Sequence, residues 1–140
     1  MARDATWRCE VVDGAGLDVE EVRELYRASG LAARRPVEDG ERFAAMLRGA
    51  NLVVTARIGG RLVGIARSVT DGAYATYLSD LAVDRSVQRQ GVGRDLVAAT
   101  RAAAPRATIV LLAAPAAVGY YPRIGFARHE SAWVLAPDED

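Results

Sequence analysis

The chain contains no lysine; all 18 of its basic side chains are arginine. Schiff-base catalysis and the lysine of a P-loop are excluded on that ground. There is one cysteine, Cys9, and one histidine, His129, so an internal disulfide cannot form and a Cys/His zinc site cannot be assembled. Counting does not exclude carboxylate metal sites, but nothing in the sequence points to a metal. His129, in Arg128-His129-Glu130-Ser131, reads as an exposed or structural histidine rather than a catalytic one. No apolar run approaches the ~20 residues of a membrane span, and the first ten residues lack the apolar core of a secretory signal. A cytoplasmic protein with no membrane partner is expected. An excess of charge is missing too, since 18 acidic residues balance the arginines. No overall field therefore draws the chain onto nucleic acid.

What is present suits a soluble globular protein: 140 residues, 51% hydrophobic and 26% charged, enough to bury a core within one domain spanning 1–140. Residues 7–12 alternate as a strand, and Asp13-Gly14-Ala15-Gly16 breaks it. Asp18 can cap a first helix, with Glu21 in capping-box position, Leu17 and Val22 as a hydrophobic staple, and Val22, Leu25 and Tyr26 as the buried stripe. Ser29-Gly30 ends it. A loop through Arg34-Arg35-Pro36 leads to a second helix over about 37–48, with Phe43, Ala44 and Leu47 on one face. Residues 51–58 and 61–70 read as a hairpin about Gly59-Gly60, and 75–83 as the next strand of the meander. A helix follows with Val92, Leu96, Thr100 and Ala103 at helical spacing, ended by Pro105. The apolar run 108–112 predicts a central strand buried on both faces. A short helix over 116–122 and a last strand over 131–135 complete the order β-α-α-β-β-β-α-β-α-β, before a frayed acidic tail at 136–140. This is a mixed α/β fold.

Between the strand and helix that meet near residue 90 lies Gln88-Arg89-Gln90-Gly91-Val92-Gly93. A Walker loop needs the absent lysine, and a dinucleotide fingerprint needs a third glycine where Leu96 stands. A helix start of this kind can still bind a pyrophosphate, because its first N–H groups lack intrahelical partners and glycine lets an anion approach the backbone. Read alone, the same glycines could merely shape a turn.

With the preceding Leu81-Ala82-Val83, this stretch resembles the acetyl-CoA motif of the GNAT N-acetyltransferases: Gln or Arg, two residues, Gly, one residue, Gly or Ala, after a strand. Tyr121-Pro122-Arg123-Ile124-Gly125-Phe126 resembles the family's tyrosine, three residues, Gly-Phe. The likeness runs from first strand to last and is strongest over 77–126. It implies a GNAT-like acyl-CoA N-acyltransferase fold, α/β, with a mixed, mostly antiparallel sheet of about six to seven strands flanked by about four helices and splayed at the cofactor strand. One departure is Ala114, where the family often has an asparagine that contacts the pantetheine arm.

The resemblance implies acetyl-CoA as acyl donor, its pantetheine bonded by the main chain of Leu81, Ala82 and Val83. Its pyrophosphate would be surrounded by Gln88, Arg89, Gln90, Gly91, Val92, Gly93 and Arg94. Tyr121 would lie at the thioester. A phenol of pKa about 10 can protonate a thiolate whose parent pKa is about 8.5, which makes Tyr121 the expected general acid, and the spacing to Gly125-Phe126 favours it over Tyr120. Asp80 is the best carboxylate for a base, since Tyr77 and Ser79 stand where relatives carry Glu or His; removal of the proton by water competes. A strand N–H near 81–83 would polarise the carbonyl. The acceptor would enter past the first two helices and last strand, near Arg34, Arg35, Tyr26, Phe43 and Trp133. The arginines read as a solvated loop pair or a carboxylate grip, and Trp133 as core. The expected function is acetylation of a small-molecule amine. A protein or peptide acceptor, or a non-catalytic acyl-CoA-binding module, are the alternatives, and a homodimer rests on family habit alone.

Overall fold

The computed structural model describes residues 6–138. The N-terminal reading therefore lies partly outside the described residues, as does the end of the tail expected at 136–140. Strand β1 (Arg8–Val12) leads through a 3-10 turn to helix α1 (Val19–Ser29), capped by Asp18, whose carboxylate accepts from the amides of Glu20 and Glu21. The capping box is only half formed. Glu21 turns away to accept from both terminal nitrogens of Arg57, at 2.9 Å each, so a tertiary ion pair replaces the local contact. Val22, Leu25 and Tyr26 form the buried stripe, and Gly30, left-handed at φ 92°, ends the helix.

Helix α2 (Gly40–Gly49) starts three residues later than expected because Asp39 caps it. Strands β2 (Leu52–Ile58) and β3 (Arg61–Thr70) pair about Gly59-Gly60, both with positive φ as a tight hairpin turn requires. Strand β4 (Ala75–Val83) pairs with β3, helix α3 (Val92–Ala103) follows, and β5 (Thr108–Val110) lies parallel to β4. The sheet runs in the order β1-β2-β3-β4-β5. One core, built on Tyr26, Phe43, Leu47 and Ile65, lies under α1 and α2; the other, with Leu78, Val92 and Leu96, lies under α3. The fold is therefore a three-layer mixed α/β arrangement with helices on both faces.

Four expectations at the C-terminal end are corrected. The strand expected over 131–135 does not form, and Trp133, expected in the core, is 93% exposed. Two 3-10 turns, Pro115–Ala117 and Tyr121–Ile124, replace the short helix, since Pro115 and Pro122 limit regular helix there. Strand β5 is an edge rather than a central strand, and Val110 is half exposed; among the described residues no sixth strand pairs with it, so its outer side is open. Among the described residues, five strands and three α-helices thus stand where about six to seven strands and four helices were expected.

Candidate acyl-transfer site

The site starts from an irregularity in β4. Its register against β3 slips between Arg67↔Asp80 and Ser68↔Leu78, leaving Ser79 as the bulged residue. The bulge changes which face each side chain meets: Leu78 packs with the α3 core, whereas Ala82, four residues on, packs with the α1–α2 core. On its other side β4 pairs with β5 only from Ala75↔Thr108 to Tyr77↔Val110. Among the described residues, no strand flanks β4 on that side from Leu78 to Val83.

The gap holds a cavity of ≈ 300 Å³. Leu78, Ser79 and Leu81 form one wall, residues 111–114 the facing wall, Ala117 and Tyr121 the floor, and Leu31, Arg34 and Arg35 the rim. Ala114, the departure from the family pattern, stands in that facing wall. A second hollow of ≈ 330 Å³, at the β1 edge and the β2–β3 turn, contains none of the expected site residues.

Asp80 sits behind the cavity, 1% exposed. Its Oδ1 accepts from Arg35 Nε at 2.5 Å, and its Oδ2 from Arg67 Nε and the Tyr26 hydroxyl at 2.6 Å each. Arg67 also donates to Ser79 Oγ, and Arg35 to the main-chain carbonyl of Ser79 at 2.8 Å, so both arginines clamp the bulge. Burial pushes the Asp80 carboxyl up, but Arg67, Tyr26 and Arg35 outweigh it and hold the carboxyl below its usual range. Both oxygens are engaged, Oδ1 also by the Ser79 hydroxyl at 3.3 Å. Tyr26 and Phe43, expected near the acceptor, are fully buried edge-to-face partners and do not line the cavity. No sequence signal marked Arg67, because a strand arginine is ordinary until its partner is known.

The two tyrosines separate. Tyr121 lines the cavity, packed edge-to-face on Tyr120 and Phe126; burial, with Tyr120 adding to it, raises its hydroxyl above the ordinary phenol range. Tyr120 instead lays its hydroxyl against Gly93, where any Cβ would collide with it.

The stretch 88–94 forms the turn into α3. Gln88 Nε2 donates to the carbonyl of Val83, pinning the turn to the end of β4. Arg89 (φ 68°) and Gly91 (φ 108°) both have positive φ. No side chain caps α3. Arg89, Gln90 and Arg94 are exposed around this start, whereas Val92 and Gly93 are buried. The arrangement fits a pyrophosphate, with a bare helix start, a close backbone approach at Gly91 and three flexible polar side chains around it.

This combination of a bulged and splayed strand, an uncapped helix start and a tyrosine in the gap defines an acyltransferase of the GNAT class. The Acetyltransferase (GNAT) domain family matches residues 22–134, and the chain belongs to that family. Among solved structures, a GNAT family acetyltransferase from Streptococcus pneumoniae TIGR4 is 24% identical, with a TM-score of 0.77 over 96% of this chain and 100% of that chain. An aminoglycoside N-acetyltransferase in complex with CoA is 16% identical, with a TM-score of 0.71 over 99% of each chain. An aminoglycoside acetyltransferase from an uncultured soil metagenomic sample, in complex with trehalose, is 20% identical, with a TM-score of 0.69 over 96% of this chain and 97% of that one. At these identities the likeness establishes the fold. Comparison with curated proteins gave no match. Among the described residues, no helix is long and apolar enough to cross a membrane.

Proposed function

We propose that the protein is an acetyl-CoA-dependent N-acetyltransferase that acetylates the amine of a small molecule by direct attack within a ternary complex. The observation that carries this reading is the cavity in which Tyr121 faces the open edge of β4, continuous in sequence with the uncapped start of α3. The CoA complex and the aminoglycoside names among its structural neighbours lend support.

In this reading the main chain of Leu81, Ala82 and Val83 bonds the pantetheine, and Gln88 to Arg94 surround the pyrophosphate. Acetyl-CoA supplies a thioester carbonyl carbon, to which the acceptor nitrogen bonds as the C–S bond breaks. Tyr121 holds a proton at the cavity and delivers it to the departing sulfur, regaining one from solvent. Asp80 acts as a positioning residue: with both oxygens engaged, it fixes Arg35, Arg67 and the bulge, and water takes the proton that leaves the amine. A main-chain N–H near 81–83 polarises the carbonyl.

The test follows free thiol released from acetyl-CoA across amines, amino acids and peptides. Amine-dependent release is expected. Tight CoA binding without turnover above hydrolysis would leave a non-catalytic acyl-CoA-binding module. We further infer a homodimer, favoured by the consecutive exposed apolar side chains Trp133, Val134 and Leu135 together with the open β5 edge at Val110.

A further inference from the structure

The two adjacent arginines at the cavity rim are not equivalent. Arg35 is committed: its Nε, Nη1 and Nη2 donate to Asp80, to the Arg34 carbonyl and to the Ser79 carbonyl. Arg34 offers its carbonyl to Arg35, which fixes its backbone at the rim, while among the described residues its own guanidinium has no hydrogen bond or ion pair. The cavity wall contains Arg34 and Arg35 and no carboxylate. Asp80 behind it is shared by two guanidinium groups, Arg35 and Arg67, so this cluster already carries one net positive charge before Arg34 is counted.

From this we propose that the acceptor is a small amine bearing a carboxylate, in the simplest case an amino acid, and that Arg34 binds that carboxylate. The inference rests on the acetyltransferase reading and narrows it to a substrate class. A guanidinium presents paired N–H donors that match the two oxygens of a carboxylate, and the lining beside it combines the aliphatic Leu31, Leu78, Leu81 and Leu111 with the polar Ser79 and the phenols of Tyr77 and Tyr121. A polycationic acceptor such as an aminoglycoside would meet two guanidinium groups and no free carboxylate. Like charges so placed oppose binding.

The experiment compares matched acceptors on the intact protein: amino acids, their α-amides, the corresponding amines without the carboxylate, and an aminoglycoside. The amino acids are expected to exceed their amides in kcat/KM by at least ~10-fold, the discrimination lost when one charged contact of about 1.4 kcal/mol is removed. Arg34→Gln should remove that difference by raising KM for the amino acids, leave the amides unchanged and leave CoA affinity unchanged; Arg34→Lys should restore part of it. Equal use of amides, preference for the aminoglycoside, an equal effect of Arg34→Gln on both series, or weakened CoA binding in Arg34→Gln would each overturn the proposal while leaving the acetyltransferase reading standing. Absence of thiol release with every amine, despite bound CoA, would overturn both.

Discussion

Tyr120 and Tyr121 are neighbours in sequence, yet one meets the start of α3 at Gly93 and the other faces the cavity. Tyr121→Phe is expected to lower kcat by about 10²–10⁴-fold, the usual range for a lost general acid, with CoA affinity nearly unchanged by calorimetry; Tyr120→Phe should leave kcat within a few-fold. Because burial raises the Tyr121 hydroxyl, it stays protonated up to and beyond pH ~10. The kcat profile should therefore show no alkaline fall assignable to it below that pH. The two glycines also differ in cause. Gly91 occupies a left-handed conformation that costs a residue with a Cβ about 1–2 kcal/mol, whereas Gly93 is needed for the approach of Tyr120. Gly93→Ala should thus lose stability that Tyr120→Phe restores in a double-mutant cycle, and Gly91→Ala should lose stability that it does not restore. Thermal or denaturant unfolding of the three single variants and the two double variants checks this.

At the scale of the element, the bulge in β4 and the salt-bridge cluster behind it are one unit. Asp80→Asn leaves Arg35 and Arg67 facing a neutral partner in a buried site, and a loss of about 3–5 kcal/mol is expected in denaturant unfolding. The same carboxyl makes acid a specific stress. Its folded pKa lies below the ordinary value, so between the two the unfolded chain binds more protons. The Asp80 contribution is then complete above pH ~4 and is lost as pH falls through the folded value. Unfolding titrations of wild type and Asp80→Asn should converge at low pH. In the sequence Asp80 reads as the best available base, because a carboxylate beside the cofactor motif is visible and its three partners, 13 to 54 residues away, are not. The strand itself was legible to the residue, since alternation and turn formers bound it at 75 and 83.

For the molecule as a whole, the proposed homodimer predicts a molar mass in light scattering twice the 15.0 kDa of the chain. Trp133→Ser with Leu135→Ser should return it to the monomer value without loss of fold by circular dichroism; a monomeric wild type would reject the dimer. The C-terminal region is also where the sequence misled. Residues 131–135 have the composition of a strand, but a strand exists only with a partner edge, and no local pattern specifies that partner. For the same reason 108–112 looked central: an apolar run records how hydrophobic a segment is, and its position in a sheet depends on what flanks it.

The sequence by itself determined the early element order, the cap at Asp18, the hairpin at Gly59-Gly60 and the family motifs at 81–93 and 121–126. Each is set by residues within a few positions of one another, where hydrogen-bond reach and backbone sterics act. Only the tertiary structure decided that Asp80 is clamped between Arg35 and Arg67, that Arg34 is left free beside it, and that Tyr120 and Tyr121 part company. Those outcomes depend on charges and surfaces brought together across the sheet. A buried charge takes whichever partners the fold delivers to it.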